Sequence, residues 1–333
     1  MKLLATRERL WRSRSRALLK AWPGVAGGDV DALHEARVAT RRIREALPIL
    51  VSGRRSRLKK LRRQIRRITR SLGPVRELDV TLALLTEIEQ TRPSVRVGVE
   101  LVRAGLLAER TERRDAMRAR LERIDVRKLT RRIAASLGVP AAGGASDGRV
   151  SLVTAVLAAR IARRAEALGI AIEKAGSIYL PDRLHAVRVA VKKLRYAVEL
   201  AREIHGGRTS ASLRRLKQAQ DVLGRLHDLE VLADHTRKAQ VSLAAGTHAA
   251  AEELAALIRL LEARCRELHA DYVSVQGELR DVCEGSAEDL ARALTVARPT
   301  AVRVTSARAV STNPKRSTAA DRGRPGVSLE RHV

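Results

Sequence analysis

Two histidines, His34 and His185, each open a phrase in which cations follow at the third, seventh and tenth residue: Arg37, Arg41 and Arg44 after the first, Arg188, Lys192 and Arg195 after the second. On an α-helix these positions fall within an arc of roughly 80°, so that four side chains leave the same side of the rod. The chemistry of such a row is anion binding. Arginine offers paired donors to phosphate oxygens, lysine a mobile point charge, and histidine a donor that gains charge when protonated. Catalysis would need a base, a nucleophile pair or a metal cluster. The acids are scattered along helical stretches, no phosphate-binding Gly-x-x-x-x-Gly-Lys-(Ser/Thr) loop occurs, and Cys265 and Cys283 have no paired ligand spacing. A phosphatase with His34 or His185 as nucleophile is the enzymatic alternative. Two such histidines among cations, with no paired acid, read as a binder without a metal or cofactor and not as an enzyme.

The phrases belong to a longer repeat. Leu72, Gly73, Leu78 and Val80 return as Leu223, Gly224, Leu229 and Val231 at the offset of 151 residues that also separates His34 from His185. One spacing held across two motifs marks an internal duplication, and duplicated units tend to pack about a pseudo-twofold axis. Each copy follows its phrase with a second helix. In the first, Leu58, Leu61, Ile65, Ile68 and Leu72 form an apolar stripe opposite Lys59, Arg62, Arg63, Arg66, Arg67 and Arg70. Like charges at this spacing repel unless an anion lies among them. In the second copy the row thins to Arg214, Lys217 and Arg225, with Asp221 in the place of Arg70 and His227 in that of Arg76. The two halves are unequally charged.

The elements that must position these side chains are helices, since apolar residues recur at helical spacing nearly throughout and no alternating strand pattern stands out. The expected class is all-α. Breaks are expected at Pro23 to Asp29, Ser52-Gly53, Gly73-Pro74, Pro93, Gly138 to Gly148, Gly176 to Pro181, Gly206-Gly207, Gly246 and Gly285-Ser286. The stretch 140–148 reads as a linker between repeat one, about 1–140, and repeat two, about 149–297. Residues 298–333 read as a disordered basic tail, with too little apolar content to offset chain entropy. The two cysteines fall in one helical stretch at a separation of roughly 27 Å, too far to bridge.

With 66 Lys and Arg against 37 Asp and Glu the net charge is +29, which predicts a polyanionic partner. Phenylalanine is absent, and Trp11, Trp22, Tyr179, Tyr196 and Tyr272 are the only aromatics. They are too few for the stacking platforms that hold single-stranded nucleic acid. Nonspecific binding to DNA or RNA backbone is the alternative partner class, since it needs phosphate contacts alone. No apolar run has the length of a membrane span, and the start of the chain meets charge too soon for a signal peptide, so a cytoplasmic protein is expected.

The phrase His-x-x-Arg-Val-x-x-(Arg/Lys)-(Arg/Lys)-x-Arg occurs at 34–44 with Arg37-Val38 and at 185–195 with Arg188-Val189. Together with Leu72-Gly73, Arg76 and Asp79-Val80, and with Leu216-Lys217, Gln220-Asp221, Leu223-Gly224 and His227-Asp228, it closely resembles the CHAD family, the conserved histidine α-helical domain. The resemblance covers most of 1–297; Glu77 stands where the family often has aspartate. It implies two pseudo-symmetric helical bundles around a basic groove or pore that binds inorganic polyphosphate. It further implies association with polyphosphate granules or with a polyphosphate-processing enzyme. Polyphosphate carries a negative charge on every phosphate and no base to stack, which suits these residue types. The expected phosphate contacts are His34, Arg37, Arg41, Arg44, Arg63, Arg66, Arg70 and Arg76 from the first repeat, and His185, Arg188, Lys192, Arg195, Lys217 and His227 from the second. Asp79 and Asp228 are expected to orient these cations or to cap a helix, with a metal role as the less favoured alternative.

Overall fold

The computed structural model describes residues 2–51, 55–137, 146–205, 211–243 and 248–296; the expected tail over 298–333 and residues 140–145 of the expected linker lie outside the described residues, and 146–148 of that linker belong to the helix that follows it. The described residues are all-α. They form α1 (Lys2–Gly27), α2 (Val30–Leu50), α3 (Arg55–Thr91), a 3-10 turn (Pro93–Val95), α4 (Arg96–Leu121), α5 (Val126–Ala134), α6 (Ser146–Ala175), α7 (Pro181–His205), α8 (Ala211–Val241) and α9 (His248–Val296). Among them, no helix is long and apolar enough to cross a membrane.

The ends of the helices that carry the histidines have local causes. Gly28 adopts φ +78, a left-handed conformation that favours glycine, and turns the chain out of α1. Asp29 then caps α2, its carboxylate accepting from the Ala32 amide at 2.6 Å. Gly176, at φ +59, ends α6 in the same way ahead of α7.

Two expected breaks do not occur: α9 runs through Gly285-Ser286 and α3 through Gly73-Pro74. The break expected over Pro23 to Asp29 falls at its C-terminal end, α1 continuing through Pro23-Gly24 to Gly27. An interior proline removes one backbone donor and crowds the carbonyl four residues back. In α3 the flanking Ile68, Leu72, Val75 and Leu78 are all buried, and their packing outweighs that local loss. The expected breaks at 52–53, 206–207 and 246 fall on residues outside the described ones.

Three apolar clusters hold the helices. In one, Leu33, Ile43 and Leu47 of α2 meet Leu61, Ile65, Ile68 and Leu72 of α3 and Leu18 of α1. In the next, Leu184, Val187, Val191 and Leu194 of α7 meet Leu216 and Leu223 of α8 with Tyr272 of α9. The third joins the C-terminal halves of α3 and α8 to α4 and α9 through Leu85, Leu106, Leu232 and Leu257. Each fully buried aliphatic side chain contributes on the order of 1.5–3 kcal/mol. The apolar stripe opposite each histidine phrase is therefore fixed in a core, which turns the cationic stripe away from it.

Candidate anion-binding site

The cationic stripes of α2 and α7 share a cleft of about 540 Å³ whose remaining walls come from α3 and α8. From the first phrase it receives His34, Arg37, Arg41 and Arg44, and from α3 Gly73, Arg76 and Glu77. From the second it receives His185, Arg188, Lys192 and Lys193, with Tyr196, His227 and Asp228 beside them. Seven Lys and Arg side chains thus face three carboxylates, Glu45, Glu77 and Asp228. Nine of the fourteen expected contacts line this one cleft.

The cations sit near one another and partly out of water. Burial, then the charge of Arg41, lowers the Arg37 guanidinium to about 10. Burial, then Arg188 and Arg41, lowers the Lys192 ammonium to about 7. Arg41 of α2 therefore acts on α7, which places the two phrases within electrostatic reach across the cleft. His34 is lowered by burial and by Arg76; His185 is lowered by burial and by His227 and Arg188. The rings of His185 and His227 stand 5.0 Å apart. Burial raises the Asp228 carboxyl despite Arg188, whose Nη2 is 4.0 Å away. Arg188 also keeps a buried Nε with no partner.

Arg37 shows how backbone and charge meet here. Its Nη1 donates to the Thr69 carbonyl of α3 at 3.3 Å, one turn before Pro74. A Cβ on Gly73 would lie 2.9 Å from that same Nη1. The glycine that was expected to break α3 instead leaves the space in which the Arg37 guanidinium lies.

The other five expected contacts are elsewhere. Arg63, Arg66 and Arg70 lie exposed on α3, outside the cleft, and Lys217 lies exposed on α8. Arg195 is engaged within the second half: its Nε donates to Gln220 at 2.7 Å, Glu199 pairs with it one turn on, and its guanidinium covers the Tyr196 ring at 4.6 Å. Asp79 does not orient the cleft cations. It is buried and pairs with Arg110 of α4 at 2.7 Å.

Two arginines that shape the cleft escape a reading of the motifs. Arg164 of α6 donates to the Glu45 carboxylate at 2.6 Å and to the Lys193 carbonyl at 2.6 Å, while Arg160 donates to the Glu45 carbonyl at 2.8 Å. Arg164 thus occupies one of the cleft's three carboxylates from outside and ties α2 to α7, while Arg160 holds the α2 backbone to α6. Their signal in the sequence is faint, two arginines four residues apart in a largely apolar helix.

The CHAD domain family model matches residues 9–237. No curated protein matches the chain. Among solved structures, the CHAD domain from the plant Ricinus communis superposes with a TM-score of 0.57 at 22% identity, covering 83% of this chain and 91% of that one. PptA from Streptomyces chartreusis superposes with a TM-score of 0.53 at 18% identity, covering 87% of this chain and 99% of that one.

Proposed function

We propose, from the premise that this chain belongs to the CHAD domain family, that it binds inorganic polyphosphate in the cleft between its two histidine phrases. The observation that carries the reading is the convergence of Arg37, Arg41, Arg44 and Arg76 with Arg188 and Lys192 on one space. Several guanidinium groups directed at one cleft suit a ligand with an anion at every repeat. Tyr196 is the only aromatic side chain on the cleft wall other than the histidines, and Arg195 already covers its ring. A base would find little to stack on there, which favours polyphosphate over nucleic acid. The cleft offers cations in excess and histidines flanked by cations, an arrangement for holding phosphate and not for cleaving it. We therefore read the chain as a binding module that would bring itself, or an enzyme bound to it, to polyphosphate or its granules.

Competition tests this reading. Labelled polyphosphate bound to the full chain should stay bound when duplex DNA is added in large excess by charge. Its release at charge equivalence would reduce the cleft to a general polyanion surface. Free phosphate appearing on incubation with polyphosphate, and lost in His34→Ala or His185→Ala, would replace binding with hydrolysis.

A further inference from the structure

We propose that the exposed N-terminal half of α3 is a second polyanion surface, which takes up the part of a long polyphosphate chain that overhangs the cleft and so makes the protein selective for chain length. This rests on the cleft being a polyphosphate site and adds where the polymer goes when it leaves.

Residues 55–70 hold nine Lys and Arg and no Asp or Glu. Lys59, Arg62, Arg63, Arg66 and Arg70 lie within an arc of about 100° on the helix, and all five are exposed. Among the described residues, no carboxylate pairs with any of them. Elsewhere on the surface some arginines find acids, as Arg113 does with Glu109, Arg237 with Glu262 and Arg264 with Glu267, while others such as Arg12 and Arg127 are exposed without one; what sets α3 apart is the density of one sign of charge along a single helix face. A solvated face kept for solubility mixes both signs of charge. A row of one sign at three- and four-residue spacing weakens its own helix, and a polyanion laid along it removes that repulsion.

The ridge continues the cleft. Gly73 and Arg76 of α3 line the cleft, and Arg70 begins the ridge one turn earlier on the same helix. Arg44, on the cleft wall, lies close enough to Arg62 and Arg66 for their charges to lower it, after burial and the charge of Arg41. From Gly73 back to Lys59 the helix extends roughly 21 Å. A cleft of about 540 Å³ holds a short segment, and a longer chain must lie on something outside. Lys59 stands roughly 10 Å along the axis from Arg66, beyond the Debye length of about 8 Å at physiological salt. It therefore does little for a ligand confined to the cleft and acts on a chain that reaches it. Helix α8 offers no equivalent path, because Asp221 occupies the position that matches Arg70.

The experiment measures the affinities of the full chain for tripolyphosphate and for a polymer of roughly a hundred phosphates, with the dependence of each on salt. It compares the unaltered protein with Lys59→Gln/Arg63→Gln, and with Arg113→Gln/Arg264→Gln, which removes the same charge elsewhere. The ridge variant should lose about tenfold of the preference for the long polymer, and the slope of its log affinity against log salt should fall by a little over one for that ligand. The control should keep both. Equal losses for the two ligands, or an equal effect of the control, would overturn the ridge while leaving the cleft in place. Failure of the unaltered protein to bind either ligand would overturn the cleft reading itself. Helical circular dichroism of both variants verifies that folding is unchanged, the apolar stripe of α3 being untouched.

Discussion

The two halves of the cleft are spelled alike and equipped differently. In the first, Arg37 lies over Gly73 and donates to α3, Arg44 faces the cleft, and Arg76 stands beside His34. In the second, Arg188 has a distant carboxylate and an unpartnered Nε, Arg195 is held by Glu199 and Gln220, and a histidine replaces the arginine at position 227. A Cβ on Gly224 would meet nothing within 4 Å, where one on Gly73 would meet Arg37. The cations of the first half are arginines, whose charge is permanent, beside the single histidine His34. The second half has Lys192 and two histidines, so more of its charge responds to protons and to the ligand. A duplicated motif thus preserves the face on which cations stand while leaving their partners free to diverge.

The largest expected effect separates structural from ligand-facing charge. Arg110→Met leaves the buried Asp79 carboxylate without its partner and should cost about 3–5 kcal/mol of stability, read by denaturant unfolding. The matching position in the second half is Glu230, which accepts from the Tyr179 hydroxyl at 2.9 Å. Tyr179→Phe should cost only about 1 kcal/mol, since the carboxylate keeps His227 nearby. Comparable losses would mean that the halves are anchored alike.

Within the cleft, Arg37→Gln should weaken polyphosphate binding by ten- to a hundredfold, as expected for the loss of a charged hydrogen-bond donor worth about 1.5–3 kcal/mol. Titration calorimetry at fixed salt reads the change. Arg44→Gln should follow the same direction, while Arg195→Gln should alter affinity less than threefold because that guanidinium is already engaged. A larger loss from Arg195 than from Arg44 would mean that the ligand draws Arg195 out of its contacts.

Gly73→Ala should displace the Arg37 guanidinium and lower affinity by about fivefold, close to 1 kcal/mol, with Gly224→Ala unchanged. Equal effects from the two glycines would point to a loss of helix geometry common to both.

The smallest effect is on pH dependence. Lys192 is held down to about 7, and His34 and His185 are lowered from their ordinary value. A bound polyanion favours their charged forms, so the complex holds more protons than the free protein and affinity rises as pH falls. The rise should pass through about pH 7, where Lys192 gains its proton without ligand, and continue below 6.5 as His34 and His185 gain theirs, each group ceasing to contribute once it is protonated without ligand. Lys192→Arg, charged throughout, should flatten the upper part of that rise. A profile independent of pH over this range would show that neither Lys192 nor the two histidines carry titrating charge toward the ligand.

Much of this was legible in the chain. Apolar residues at helical spacing made the class all-α, and the position of each histidine relative to its cations settled which face they share, because side-chain direction on a helix follows from 3.6 residues per turn. The family was legible for the same reason, in fixed spacings within single helices. Local rules misread α3: Gly73-Pro74 looks like a break when judged by backbone propensity, yet buried neighbours on both sides carry the helix through it.

What only the tertiary structure decided is which cations share a space and which have partners. Nothing within α2 states that Arg41 will face Lys192, or that Arg164 of α6 will hold Glu45 from behind. Arg63 and Arg70 carry the same charge as Arg37 and read equally well as phosphate contacts. The packing of α2 on α3 places Arg37 against the cleft and leaves the other two on an open ridge. Sequence periodicity fixes the direction of a side chain relative to its own helix axis, whereas a binding site is made of distances between axes, and those are set by how the three cores pack.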